Sequence, residues 1–251
     1  MSTDQAAGHV GEVSGPLLEV VVLHPRDVAG AHDGGADRLL VLDDVAAGGV
    51  SAEPAAVSAI CKETDLPVRA MLRLNDSYTT TGGELTRLVG LGEQYLMVGA
   101  EGVAFGFLDS DLNVDAEVCE HLADALAAPW TFHRAVDASL ETERAWRTLR
   151  ALPRLDAVLS AGSSRGLEAG HDELTDRAAA DPDMARLLMA GGGLRGEHVP
   201  WLVRAGVRQF QVASSVRPGG SWKSHVDGGH VRAWRMLLDD AADRAAGRPT
   251  G

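Results

Sequence analysis

Short apolar runs alternate along the chain with longer stretches in which apolar residues recur at helical spacing. Runs this short and this apolar are typical of strands that are buried on both faces of a parallel sheet. The predicted strands are residues 17–23, 38–42, 68–72, 102–107, 130–133, 157–159, 187–190 and 209–212. Their spacing predicts a regular alternation of strands and helices.

Six helices are predicted by apolar periodicity and by the residues at their ends. They cover residues 52–64, 83–94, 115–127, 140–152, 197–205 and 230–245. Pro54 is tolerated in the first turn of its helix, and Asp115 is a good cap for the helix that follows it. After the first and sixth strands the pattern defines no comparably clear helix.

Eight strands separated by helices predict a single-domain α/β fold, the (β/α)8 barrel of the TIM type. The alternative is a doubly wound open sheet, which needs a glycine-rich phosphate loop after its first strand. The residues there are His24-Pro25-Arg26, which form no such loop. We therefore expect a barrel over residues 16–246, between a disordered leader (1–15) and a short tail (247–251).

Composition narrows the classes of partner. The net charge of −13 argues against nucleic acid, because binding to phosphates requires a basic surface. No apolar run is long enough to span a membrane, and the acidic N-terminus lacks the basic region of a signal peptide. Two cysteines are too few for a disulfide scaffold. We expect a cytoplasmic protein with reduced thiols and a small-molecule or anionic ligand.

Polar residues near strand ends are the candidates for chemistry, because the active site of such a barrel lies at the carboxyl ends of its strands. Glu19 lies within the apolar first strand, and a buried carboxylate requires a compensating cation. Arg73, at the end of the third strand, is the expected partner. The alternative is an ion pair in the barrel core that only fixes geometry.

The segment from Thr131 to Asp137 ends the fifth strand and brings an imidazole, a guanidinium and a carboxylate to the barrel rim. His133 is a candidate general base, metal ligand or orienting hydrogen-bond donor. A histidine at a strand end is also common as a packing residue. Its neighbours Arg134 and Asp137 favour the functional interpretation.

An acidic run follows the fourth strand from Asp109 to Asp115, with Glu120 beyond it, and imitates a calcium-binding loop. Val114 occupies the position at which an EF-hand requires glycine, and the run lies between a strand and a helix. We interpret it as a βα loop in which Asp109 is a site candidate at the strand end. The residues themselves predict no metal site.

Strands seven and eight are followed by glycine-rich and serine-rich turns, at residues 191–193 and 214–217. In many barrels these two loops bind a phosphate through backbone N–H groups. The candidate anion site consists of Gly192, Gly193, Ser214, Ser215 and Arg217. The alternative is that the glycines only permit tight turns.

Five segments together resemble the CutC family, which is named for copper homeostasis. They are Leu17-Leu18-Glu19-Val20, Gly35-Ala36-Asp37-Arg38 with Gly48-Gly49, Leu108-Asp109 through Asn113-Val114-Asp115, Thr131-Phe132-His133-Arg134-Ala135 with Asp137, and Met189-Ala190-Gly191 with Gly193. The matches keep their order over most of the chain. The resemblance implies a cytoplasmic (β/α)8 barrel, often a homo-oligomer, that is linked by name to copper handling, so copper is the cofactor that the family name suggests.

The chain departs from the family pattern in three places. Where the family has Val-Glu-Leu-Cys, this chain has Leu39-Leu40-Val41-Leu42, so an acid and a thiol are missing. Leu74-Asn75-Asp76-Ser77 replaces Pro-Arg-Gly-Gly, and Gln211 stands where the family has histidine. Because Cu(I) prefers thiolate and thioether ligands, a copper site of the family type lacks its thiol here.

Three functions follow as hypotheses. The first is a CutC barrel that serves copper homeostasis, and the second is an enzyme acting on a small polar or phosphorylated metabolite. In the enzyme, His133 or Glu19 would be the acid or base, while Arg73 and Arg134 would orient the substrate. The third is a barrel that binds a ligand without turnover. No lysine lies at a strand end to form a Schiff base, so the sequence names no reaction.

Overall fold

The computed structural model describes residues 15–247, in which eight parallel strands close into a barrel in chain order. The strands are β1 Leu17–Val22, β2 Arg38–Val41, β3 Val68–Met71, β4 Gly102–Phe105, β5 Trp130–Phe132, β6 Leu155–Ser160, β7 Leu188–Ala190 and β8 Gln209–Val212. β1 pairs with both β2 and β8, which closes the sheet and confirms the (β/α)8 prediction. Residues 1–14 of the predicted leader and 248–251 of the predicted tail lie outside the described residues.

Nine α-helices are described between residues 15 and 247. They are α1 Arg26–Gly34, α2 Pro54–Cys61, α3 Gly82–Met97, α4 Ala116–Leu126, α5 Thr142–Ala151, α6 Leu167–Ala180, α7 Pro182–Leu187, α8 Val199–Arg204 and α9 Gly228–Ala245. All six predicted helices are present, and Asp115 caps α4 by accepting the Val118 N–H at 3.1 Å. In the same part of the chain, none of the helices combines the length and apolar character that crossing a bilayer requires.

The helix after β1 is held by close packing and not by a broad apolar face. α1 buries Val28, Ala31 and Gly34. A Cβ added at Gly34 would lie 2.4 Å from the Cβ of Val231 on α9. Two helices can come this close only where a side chain is missing, so position 34 requires glycine. An apolar helical pattern would have a larger residue at this position. That is why apolar periodicity leaves this helix undefined.

Alternate residues of each strand face opposite sides, and both sides are buried. In β2, Leu39 and Val41 join the large core between the barrel and its helices, whereas Leu40 joins a second cluster inside the barrel. Met71 of β3 belongs to the same inner cluster. Burial on both faces explains why the strands are mostly apolar, with their few polar residues paired inside the barrel.

A network around Arg69 fills the amino-terminal end of the barrel interior. The Arg69 guanidinium donates to the hydroxyl of Thr131 at 2.6 Å and to both carboxylate oxygens of Asp156 at 2.6 and 2.5 Å. Glu101 lies 3.2 Å from its Nε. Burial alone would lower the pKa of Arg69, but the hydrogen bonds and charge of Asp156 raise it. Side chains of this network therefore occupy the amino-terminal end of the barrel interior.

Arg217, predicted to bind an anion, is committed to a buried ion pair. Its guanidinium donates to the two carboxylate oxygens of Asp27 at 2.8 and 3.2 Å and to the carbonyl of Ser224 at 2.7 Å. Asp27 is fully buried at the start of α1. The pair therefore ties the loop after β8 to the turn between β1 and α1. Because the guanidinium is buried and bonds Asp27 through both Nη1 and Nη2, we assign Arg217 a structural role.

The electrostatics of Asp27 follow from this pairing. Burial alone would raise its pKa, but the hydrogen bonds from Arg217 and from the Leu23 N–H lower the pKa below the ordinary value of 3.8. A carboxylate whose pKa is lowered by folding stabilises the fold above its unfolded pKa. That contribution is lost as the pH falls through the folded pKa.

Replacing Arg217 with alanine should lower the free energy of unfolding by about 3–5 kcal/mol, because it leaves a buried carboxylate without its cation. Urea denaturation at neutral pH measures this loss. Repeated at lower pH, it should show a difference that shrinks as the pH falls below 3.8 and through the lowered pKa of Asp27, since Asp27 then takes up a proton in the folded parent chain as well. Lys223→Ala removes an exposed cation from the same loop and should change stability by less than about 0.5 kcal/mol. An Arg217→Ala chain as stable as this control would contradict the assignment.

Candidate ligand-binding site at the barrel mouth

A cavity of about 190 Å³ opens at the carboxyl ends of the strands. Its lining residues are Leu40, Leu42, Gly48, Met71, Arg73, Tyr78, His133, Arg134, Leu159 and Gln211. Three residues singled out from the sequence, Arg73, His133 and Arg134, therefore meet in one cavity. None of these lining residues carries a carboxylate or a thiol.

The His133 ring is hydrogen-bonded at one nitrogen and unpartnered at the other. The backbone N–H of Ala135 donates to Nδ1 at 3.2 Å. A ring nitrogen that accepts a hydrogen bond carries no proton, so the neutral imidazole bears its proton on Nε2. Nε2 is buried, and no group within residues 15–247 accepts its proton. His133 is therefore a hydrogen-bond donor whose acceptor the described chain does not supply.

The neutral state of His133 follows from its surroundings. Burial and, after it, the positive charge of Arg73 lower the pKa of His133 to about 3. Gly106 makes room for the ring, since a Cβ there would lie 2.9 Å from Nδ1. Of the three roles predicted for His133, hydrogen-bond donation fits this state. A general base or a metal ligand at Nε2 would need that nitrogen without its proton.

Arg134 is oriented by two acceptors. Its Nε donates to Asp137 at 2.8 Å, and its Nη2 donates to the carbonyl of Ser163 at 3.0 Å. The Asp137 carboxylate is buried and also accepts the Ser160 hydroxyl at 2.6 Å and the Ala161 N–H at 3.0 Å. Asp137 therefore positions the guanidinium, while Arg134 itself lines the cavity.

Gly192 brings the loop after β7 against the Arg134 guanidinium. Its φ is +74°, and a Cβ added there would lie 2.6–2.8 Å from Nε, Cζ and Nη1 of Arg134. Glycine is needed both for the left-handed backbone and for the close approach. The bonds to Asp137 and Ser163 use Nε and Nη2, which leaves Nη1 beside the Gly192 backbone. The cation next to the predicted glycine loop is thus Arg134 and not Arg217.

Arg73 is held by backbone carbonyl groups at the cavity wall. Its Nη2 donates to the carbonyl of Asp76 at 2.5 Å, and its Nη1 lies 3.4 Å from the carbonyl of Gly49. The guanidinium lies over the ring of Tyr78, 4.9 Å from its centroid. The same tyrosine ring lies 5.7 Å from that of His133. The Tyr78 ring therefore separates the Arg73 guanidinium from the His133 imidazole.

Glu19 does not reach the mouth. The register places it beside Arg38 of β2, whose Nε donates to Glu19 at 2.6 Å. Gln211 donates to the other carboxylate oxygen at 2.8 Å. The expected pairing with Arg73 is wrong, because Glu19 is the third residue of β1 whereas Arg73 lies beyond the carboxyl end of β3. Glu19 forms the ion pair of the barrel core that was the alternative, and Gln211 connects it to the cavity.

Asp109 and the two serines are not among the cavity-lining residues. The Asp109 carboxylate accepts the Asn113 N–H at 2.8 Å, and the bond lowers the pKa of Asp109. It therefore orders the loop between β4 and α4, as the βα-loop interpretation expects. Ser214 and Ser215 lie in a short 3₁₀ turn, and Gly193 has a φ of +95°. Their part in an anion site stays a prediction.

Sequence reasoning did not propose Leu40, Leu42, Met71 or Tyr78 as site residues. The first three belong to apolar strand segments in which inward and outward positions look alike. One signal was available for Leu40: it follows the inward-facing Arg38 by two residues, the period of a strand. Tyr78 lies in a loop whose course only the fold defines.

One group of side chains in the described range has ligand atoms close enough to hold a metal ion. Glu168, Glu197 and His198 place these atoms within 4.8 Å of one another, away from the mouth. The guanidinium of Arg195 already contacts both carboxylates, and the Arg195 N–H donates to Nδ1 of His198 at 3.2 Å. That bond places the His198 proton on Nε2, the nitrogen that faces Glu168. The group is thus satisfied internally.

Cys61 and Cys119 lie on α2 and α4 as free thiols, outside the cavity lining. Burial raises the pKa of both thiols, that of Cys119 to about 12. The thiolate is the form that binds metals, so both residues are held in the form that binds copper poorly.

The fold and the mouth define a (β/α)8 barrel with a small cavity that presents guanidinium groups and a neutral imidazole donor. Residues 16–216 match the CutC family, and the chain belongs to that family. It is 28% identical over 221 residues to the copper homeostasis protein cutC homolog of Homo sapiens, covering 85% of this chain and 79% of the human protein. It is also 28% identical over 239 residues to a CutC family protein of Klebsiella pneumoniae (strain 342), covering 90% and 95%.

Solved structures share the architecture. A CutC protein from Streptococcus agalactiae matches with a TM-score of 0.69 at 20% identity, over 78% of this chain and 97% of that one. An N-acetylneuraminate lyase from Fusobacterium nucleatum matches with a TM-score of 0.61 at 11% identity, over 93% and 79%. At these identities the likeness shows the fold alone.

His133 should remain neutral, with its proton on Nε2, from about pH 8 down to about pH 5, since its pKa is about 3. Long-range ¹H–¹⁵N spectra of the imidazole, assigned with His133→Gln, measure this directly. Arg73→Gln should raise the pKa yet leave it below 6.5, because burial is the larger cause. Arg244→Gln, at the exposed end of α9, removes the same charge and should leave the pKa unchanged. Protonation of His133 near pH 6.5 in the parent chain would contradict this account.

Proposed function

We propose that this CutC-family chain binds a small organic anion at the barrel mouth. The observation that carries the proposal is the buried Nε2 of His133, a donor without an acceptor, in the same cavity as Arg134 and Arg73. A buried donor without a partner is destabilising, and an anionic oxygen supplies the missing acceptor.

Arg134 supports the proposal through charge and position. Its Nε and Nη2 are held by Asp137 and Ser163, so Nη1 can donate to a ligand with little loss of side-chain entropy. Gly192 and Gly193 follow with left-handed backbone beside it, where their N–H groups would complete an anion site. The proposal therefore keeps the predicted glycine loop as part of the anion site and takes Arg134 as its cation.

The same residues favour binding over turnover. A neutral His133 with its proton on Nε2 donates to an oxygen but does not take a proton from carbon or water. Glu19, the other candidate base, is paired with Arg38 below the cavity. The lining therefore stabilises negative charge and offers no general base, which supports the hypothesis of a barrel that binds its ligand without turnover.

Isothermal titration of the full chain with acetate, butyrate and inorganic phosphate tests the anion site. Arg134→Gln should weaken binding roughly 10- to 100-fold, because a hydrogen bond to a charged group contributes about 1.5–3 kcal/mol. His133→Phe keeps a ring and removes the donor, so it should weaken binding as well. Arg244→Gln changes the net charge equally and should bind like the parent. Equal affinity of the Arg134→Gln and parent chains would overturn the proposal.

The first hypothesis from the sequence, a CutC-family barrel associated with copper homeostasis, is supported by family membership and by the name of the human relative. The residues at the mouth do not fit a copper ion. Cu(I) prefers thiolate and thioether ligands, and Met71 is the one sulfur among the lining residues. Nε2 of His133 carries a proton, and the guanidinium groups of Arg73 and Arg134 repel a cation. We therefore place any part in copper homeostasis outside direct coordination in this cavity.

Anaerobic titration with Cu(I) against a competing chelator separates the two candidates. The parent chain should take up no stoichiometric Cu(I), because the raised pKa values of Cys61 and Cys119 keep both thiols protonated and the cavity is cationic. Cys61→Ser, Cys119→Ser and Met71→Leu should behave like the parent. Stoichiometric uptake that one of these changes abolishes would identify the ligand and restore direct copper binding.

A further inference from the structure

The cavity at the mouth has two chemically different walls. Arg73, His133 and Arg134 form the polar wall. The apolar wall consists of Leu40, Leu42, Met71 and Leu159. An inorganic anion would engage the polar wall and leave the apolar wall in contact with water.

The apolar wall continues toward solvent. Trp222, in the loop after β8, packs against the cluster that includes Leu40, Leu42 and Met71. The guanidinium of Arg217 lies over the Trp222 ring, 5.2 Å from its centroid. Because Arg217 is fixed by the buried Asp27, the loop that carries the indole is anchored next to the mouth.

The size of the cavity limits the ligand. Its volume of about 190 Å³ lies below the range of roughly 300–1,000 Å³ that is usual for drug-sized ligands. The space suits a few carbon atoms beside one anionic group. Apolar walls contribute to affinity in proportion to the hydrocarbon area that they remove from water.

We propose that the ligand is an amphipathic anion: one anionic head on the polar wall, and a short hydrocarbon tail on Leu40, Leu42 and Met71. This inference rests on the proposed anion site and adds the chemical class of its ligand. Leu40 and Leu42 stand where the family pattern has an acid and a thiol, so the apolar wall is a feature of this chain's own sequence.

A homologous series tests the tail on the ¹⁵N-labelled full chain. Acetate, propionate, butyrate and hexanoate are titrated into the labelled chain. The amide signal of Leu42 reports on the apolar wall, and that of Gly192 reports on the polar wall. The dissociation constant should fall about fourfold for each methylene until the apolar wall is covered, the increment expected for burying one CH₂. Monobutyl phosphate beside butyrate distinguishes a phosphate head from a carboxylate head.

Leu42→Ser removes part of the apolar wall and should flatten the dependence of affinity on chain length. Leu140→Ser is the matched control, because Leu140 is exposed and lies outside the cavity. It should keep the full dependence. If a variant folds poorly, the chain-length titration of the parent chain still tests the proposed tail.

The outcomes separate the two proposals. Equal affinity for acetate, hexanoate and inorganic phosphate would overturn the proposal of a hydrocarbon tail but would still support the anion site. Failure of every probe to bind would overturn the proposed function itself. Tightening with chain length in the parent, lost in Leu42→Ser and kept in Leu140→Ser, is the result that supports the amphipathic ligand.

Discussion

The backbone N–H of Ala135 donates to Nδ1 of His133, and the character of the mouth depends on this one bond. It leaves the proton of the neutral ring on Nε2, and burial keeps the ring neutral. With the tautomer fixed, Nε2 is a hydrogen-bond donor without an acceptor in the described chain and is closed to a metal ion. Gly106 and Tyr78 pack around the ring, and Arg73 disfavours its protonation. The segment that ends β5 thus supplies both the donor and the backbone group that orients it.

The local charge of the mouth is opposite to the charge of the whole chain. The sequence carries a net charge of −13, yet the cavity is lined by two arginines and no carboxylate. At a partly buried site the nearest charges dominate the electrostatic potential, because solvent screens the more distant ones. The anion site that we propose therefore depends on the geometry of Arg134 and Arg73 and not on the protein's overall field.

Membership in the CutC family leaves the chemistry of this particular chain open. The chain keeps the family's His133-Arg134 segment with Asp137, and here that segment forms a positioned guanidinium and a neutral donor. It lacks the acid and the thiol at Leu40 and Leu42, and those two positions now form an apolar wall. Exchanging two lining residues within the same framework changes the chemistry of the cavity wall, which fits the general rule that function resides in the site and not in the fold.

Taken alone, the sequence determined the eight strands, most helices and the candidate positions at strand ends, because burial on both faces and helical periodicity are local properties of the chain. Only the tertiary structure decided the partners of the buried charges. Glu19 pairs with Arg38 since strand register sets them side by side, and Arg217 pairs with Asp27 since barrel closure brings the two ends of the chain together. Both pairings join residues far apart in sequence, and their choice depends on register and closure, which no local pattern encodes.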